Sequence, residues 1–97
     1  MPTTMTWPWA IQALEEAGKK PGTDVVVLSI DGVKGAFEAM VAGKLNCTVE
    51  CNPLLGPLAF DAVAMVVRGE ALPKRTVVPD RVFDTASAAA ELPNRKY

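Results

Sequence analysis

The apolar positions of this chain fall into short runs whose spacing changes from one run to the next. In Asp24-Val-Val-Val-Leu-Ser-Ile-Asp31-Gly32 they are continuous, which predicts a strand over 24–30 covered on both faces. Three of its residues are valines, and β-branched side chains favour a pleated backbone. Lys19-Lys20-Pro21-Gly22-Thr23 ahead of it is turn chemistry. Over 11–17 the period is helical, with Ile11 and Leu14 on one side, Gln12, Glu15 and Glu16 on the other, and Gly18 as a left-handed stop. Thr6 and Pro8 carry that helix back to a start near residue 6. A second helix is predicted over 33–42, with the stripe Val33, Phe37, Met40 and Val41. Gly35 inside it costs about 1 kcal/mol against alanine, which points to tight packing there. Leu45, Cys47, Val49 and Cys51 alternate with Asn46, Thr48 and Glu50, the pattern of a strand over 45–51.

The rest of the pattern is less regular. Residues 57–68 are helical and apolar nearly all round, so that helix needs cover on most sides. Thr76-Val-Val78 and Arg81-Val-Phe83 read as short extended pieces broken by Pro79. Asp84 or Thr85 caps a last short helix over 86–92, ended by Pro93. Strands alternating with helices of this length define an α/β class, a small parallel sheet with flanking helices.

Three stretches carry a resemblance: Val27-Leu-Ser-Ile-Asp-Gly32, Ala36-Phe-Glu-Ala-Met-Val-Ala-Gly-Lys44 and Thr48-Val-Glu-Cys-Asn-Pro53. Their order and spacing resemble the last part of the periplasmic sugar-binding proteins of ABC importers. These are the ribose- and galactofuranose-binding type, whose two-lobed fold is shared with LacI-like repressors. The resemblance covers about residues 10–97 and implies a C-terminal portion of such a fold, with a hinge near 53–56. It also implies that 57–68 belongs to the other lobe. Position makes Asp31 a ligand candidate, because in open α/β sheets ligands bind beyond the carboxyl ends of strands; its alternative role is to cap the next helix. The resemblance implies a polar sugar contact at the end of the second strand, from Glu50, Cys51 or Asn52, with Asn52-Pro53 as a simple turn the alternative.

Residues 1–9 do not resemble the family, which tends to read Ala-His-Asn-Asp-Asp-Met-Ala-Leu-Gly there. Read from the last base of each codon, the junctions Met1/Pro2, Met5/Thr6, Trp7/Pro8 and Trp9/Ala10 give Ala, Asp, Ala and Gly. The other five junctions accept the family's residues as well. A frameshifted reading of that segment, restored near Ala10, is therefore expected; upstream DNA that encodes no sugar-binding N-terminal half in the shifted frame would sink it.

Composition narrows the chemistry. The net charge of −1 gives no electrostatic case for nucleic acid or an anionic membrane. There is no histidine, so Ser29 and Ser87 lack the usual activating base. Asp31 lacks the acidic pair that would hold Mg²⁺, and no glycine-rich phosphate loop is present. No enzymatic activity, metal or cofactor is expected. Cys47 and Cys51 lie ~13 Å apart on one strand face, too far for a mutual disulfide, and read as small buried residues. No apolar run reaches the ~20 residues of a membrane span. The first residues lack a signal peptide's pattern, so the chain as written is expected in the cytoplasm although the resembled family is exported.

Two functions from different classes follow. One is a truncated fragment without transport function of its own, self-associating as a homodimer, with Phe60, Val63, Met65, Val66 and Val67 at the interface and the segment after the hinge exchanged between copies. The other is a residual binding module for a pentose or hexose.

Overall fold

The computed structural model describes residues 6–97. The expectation for residues 1–9 lies outside the described residues as far as residue 5. From there the elements run α1 (Thr6–Glu16), β1 (Leu28–Asp31), α2 (Lys34–Val41), β2 (Cys47–Glu50), α3 (Gly56–Val67), β3 (Val82–Asp84), α4 (Thr85–Glu91) and a 3₁₀ turn (Leu92–Asn94). β1 and β2 are parallel, with Leu28, Ser29, Ile30 and Asp31 opposite Cys47, Thr48, Val49 and Glu50. The crossover between them is α2, as a parallel pair requires.

β3 changes the expected parallel sheet to a mixed one. It lies antiparallel on the other side of β2, with Phe83 opposite Thr48. The connection to it runs out through α3, which buries no residue against the sheet, and back again, and that path allows the antiparallel direction.

All the core lies on one face of this sheet. α1, α2 and α4 contribute Ile11, Ala36, Phe37, Met40 and Ala88, and they meet Val27, Leu45 and Phe83. The indole of Trp7 packs against the same cluster and lies over Gly35, 3.6 Å from where a Cβ would stand. That distance is ordinary contact, so Gly35 gives the indole room without being strictly required there. Asp84 caps α4 through a reciprocal pair: its carboxylate accepts from the Ser87 amide at 3.0 Å, and the Ser87 hydroxyl accepts from the Asp84 amide at 3.0 Å.

The opposite face is bare, which corrects the reading of 24–30 as covered on both sides. Val26, Leu28, Ile30, Val49 and Val82 are all exposed there. The regular part of β1 also starts later than expected, at Leu28. Ahead of it Asn46 replaces a ladder partner, accepting from the Val27 amide at 2.8 Å and donating to the Gly22 carbonyl at 2.9 Å. The cysteines are correspondingly less buried than expected. They sit on the bare side of β2 or beyond its end; Cys47 is half-buried and Cys51 exposed, both as free thiols.

α3 packs on none of the core. It has no buried residue, and the molecule is elongated, 60 × 29 × 18 Å. Phe60, Val63, Val66 and Val67 are exposed. Met65 differs from these: it is half-buried and lines an apolar hollow with Leu58, Ala62, Leu72 and Pro73. Among the described residues no helix is long and apolar enough to cross a membrane.

Candidate functional site

The carboxyl ends of β1 and β2 place Asp31 beside Glu50 in register. The two carboxylates have different surroundings. Asp31 is half-buried, and its carboxylate makes no hydrogen bond among the described residues. Its backbone is left-handed at φ 108°, and Gly32 follows at φ 68°. A non-glycine residue there is strained by about 1–3 kcal/mol. Neighbours on both sides hold the turn. The Cys51 amide donates to the Asp31 carbonyl at 3.2 Å. The Gly32 amide donates to the Thr48 hydroxyl at 3.2 Å, which in turn accepts from the Ser29 hydroxyl at 2.7 Å. A Cβ on Gly32 would stand 3.2 Å from the Glu50 Cα. Asp31 does not cap α2; Val33 holds that position, and no side chain caps there.

Glu50 is occupied by the protein itself. Its Oε1 accepts from Arg95 Nη2 at 2.8 Å and from the Tyr97 hydroxyl at 2.7 Å, while Oε2 accepts from the Arg81 amide at 3.2 Å. The Glu50 and Arg95 side chains are 6% and 5% exposed, which sets this ion pair apart from the surface ones. The Arg95 guanidinium also lies among three rings, 4.7 Å from the centre of Phe37, 5.2 Å from Phe83 and 4.6 Å from Tyr97. Phe37 and Phe83 meet edge to face at 4.9 Å. The remaining candidates lie just beyond. The Asn52 side-chain oxygen accepts from the Leu54 amide at 2.8 Å, a local turn, and the Asn52 amide donates to Asp80 Oδ1 at 2.9 Å. Cys51 contributes its exposed thiol and its backbone amide. An open hollow of about 260 Å³ lies next to this group, lined by Glu50, Asn52 and Arg81 with the tail residues Asn94 to Tyr97.

The tail residues Arg95 and Tyr97 were not among the sequence candidates. Their one signal is spacing: two positions apart in extended chain after Pro93, they share a side. Nothing in the sequence tells that this side turns inward to Glu50.

Titration of this cluster has a definite sign. Burial pushes the Glu50 carboxyl up, but the hydrogen bonds from Tyr97, Arg95 and the Arg81 amide, with the Arg95 charge, outweigh it and hold it below its ordinary 4.5. Its contribution to stability is therefore present above that value and is lost as the pH falls through the lowered one. Tyr97 moves the other way: burial and its bond to Glu50 push it up from 10.0 to about 12. That contribution is complete below pH 10 and is lost as the pH rises toward 12. Ultraviolet titration of this single tyrosine is expected to show the shift, followed by loss of helical circular dichroism; titration at the ordinary value in the folded chain would contradict the contact.

No protein-family model matches the chain. In fold and sequence it is nevertheless similar to part of the periplasmic sugar-binding proteins of ABC importers, consistent with a C-terminal portion of one. It is 38% identical over 88 residues to the galactofuranose-binding protein YtfQ of Escherichia coli, a match that covers 90% of this chain and 28% of that protein. Among solved structures, a Mycobacterium smegmatis protein in complex with β-D-fucofuranose is 50% identical with a TM-score of 0.81, over 91% of this chain and 29% of that one. The periplasmic binding component of the arabinose ABC transporter of Shewanella sp. ANA-3, bound to L-arabinofuranose, is 42% identical with a TM-score of 0.79, over 90% and 29%. The chain thus spans less than a third of the length of these relatives.

Proposed function

We propose that this chain forms one wall of a furanose-binding cleft and has no transport function by itself. The observation that carries the reading is the pair Asp31 and Glu50 at the carboxyl ends of adjacent parallel strands, with the Asp31 carboxylate left unengaged among the described residues. An ionised carboxylate accepts hydrogen bonds only, which suits the hydroxyls of a sugar ring. Glu50, already bonded three times, acts from behind as support, and Asn52 shapes the turn beside it. The furanoses bound by two of the relatives favour that ring form. A small-molecule site buries most of its ligand, and an open hollow on one wall does not.

Calorimetry tests this. The chain alone is expected to give no saturable heat with L-arabinose, D-fructose or D-fucose. Joined to the upstream portion of the galactofuranose-binding relative, it is expected to bind, with Asp31→Ala weakening the affinity at least about tenfold, the loss of one good charged hydrogen bond. Saturable binding by the chain alone would favour the residual binding module instead. An unchanged affinity in Asp31→Ala would remove Asp31 from the site.

The reading includes self-association through α3. Covering each of its large apolar side chains is worth roughly 1.5–3 kcal/mol. A homodimer joined at α3, with the segment after the 53–56 hinge exchanged between copies, supplies that cover symmetrically. Light scattering is expected to give a dimer that Phe60→Asp converts to monomer. A wild-type monomer at every concentration would contradict it.

A further inference from the structure

We infer that the C-terminal tail is a positioning element for the Asp31–Gly32 turn: Arg95 and Tyr97, acting through Glu50, hold Asp31 in its left-handed backbone. The inference rests on the reading of Asp31 as a sugar contact only for its functional meaning; the mechanical link stands on the contacts themselves. The turn lies directly on the Glu50–Arg95 ion pair. A Cβ on Gly32 would stand 3.5 Å from Arg95 Nη2 and 3.5 Å from the Glu50 Cβ, so the turn and the ion pair share one packed surface. Beyond the turn, the Lys34 amide at the start of α2 donates to the Tyr97 backbone oxygen at 2.7 Å. Before it, the Cys51 amide ties the Asp31 carbonyl to the residue after Glu50. The tail thus holds the turn from its far end and from beneath.

A strained backbone persists only where its surroundings over-determine it. Two of the constraints on Asp31 come from β2, through Thr48 and Cys51. The other two come from the tail: Arg95 beneath Gly32, seated there with the Tyr97 hydroxyl by their bonds to Glu50 Oε1, and the Tyr97 backbone oxygen at Lys34. Removing the tail's share lets residue 31 relax toward the extended geometry of the strand it ends, which redirects its carboxylate. Arg95 and Tyr97 then set where a sugar hydroxyl is met without touching it.

The test reads the turn without sugar, by NMR of the full chain. The three-bond amide–Hα coupling of Asp31 reports its φ, and amide exchange at Gly32 reports its bond to Thr48. Tyr97→Phe removes the hydroxyl bond to Glu50 and little packing and leaves the backbone bond to Lys34, so it keeps the fold and tests the link through Glu50; Arg95→Gln removes the charge. Both are expected to move the Asp31 coupling toward the larger value of extended backbone and to speed Gly32 exchange about tenfold, as local opening does. Exchange at Met40, in the core, is expected to stay unchanged in Tyr97→Phe. An Asp31 coupling and Gly32 exchange that match wild type in folded Tyr97→Phe would overturn the inference. So would equal acceleration at Met40, which would mark general loosening. Failure of the sugar reading is visible separately, as a joined protein whose sugar affinity ignores Asp31→Ala while these couplings still move.

Discussion

Phe37→Ala is expected to remove a large share of the chain's folding stability, about 3–5 kcal/mol. Phe37 is fully buried and stands where three parts of the core meet. Its ring packs edge to face on Phe83 from β3, carries the Arg95 guanidinium, and belongs to the same stripe of α2 as Met40. Truncating a buried phenylalanine costs about 3–5 kcal/mol. A domain of this size has about 5–15 kcal/mol of stability in all, and this one builds its core on only one face of its sheet. The loss also removes the platform under a buried charge. Urea unfolding followed by circular dichroism is the measurement; a midpoint within error of wild type would mean that the core does not centre on Phe37.

Glu50→Ala is expected to have an effect of similar size for a different reason. The substitution removes little apolar contact, but it leaves the Arg95 guanidinium buried at 5% exposure with its carboxylate partner gone. Breaking one side of a buried ion pair costs about 3–5 kcal/mol, mostly from the uncompensated charge. Replacing both partners together, Glu50→Met with Arg95→Met, is expected to recover much of the loss, because no charge then remains buried. The double-mutant cycle decides the point. A double variant no more stable than Glu50→Ala would mean that Glu50 acts through its bonds to the Arg81 amide and Tyr97 rather than through the charge.

The order of elements was legible because α1 and α2 carry clean stripes closed by Gly18 and Gly43, and α4 is opened by a cap at Asp84. The parallel pairing followed from the alternation of strand and helix. The third strand was legible as an extended piece at 81–83, but its direction was not, since three residues hold no direction in their pattern; only the path from α3 decides it. The reading of Val25 to Leu28 as doubly covered failed for a physical reason. A continuous apolar run records what a strand is suited to pack against, and among the described residues no second layer covers that face. The same holds for α3, whose all-round apolarity was read as a need for cover and is exposed in the structure. At the site, position at a strand end singled out Asp31 as a candidate, and the resemblance added Glu50, Cys51 or Asn52. What separates Glu50 from Asp31, one engaged and one not, depends on where Arg95 and Tyr97 fold back, and no local pattern carries that.

The Asn52 to Asp80 bond has a consequence for how the chain divides. Together with the Glu50–Arg81 backbone pair, where the Glu50 amide donates to the Arg81 carbonyl at 2.8 Å, it closes the stretch 53–79 at its base. Everything between, α3 included, leaves and rejoins β2 and β3 at a fastened neck. Closing a loop costs only slowly more as the loop lengthens, so the sheet is nearly indifferent to what the neck encloses. The stretch is in that sense a cassette, expected to open and melt as a cooperative unit separate from the sheet. A short turn in its place would leave a minimal three-stranded fold with the carboxylate pair of Asp31 and Glu50 intact.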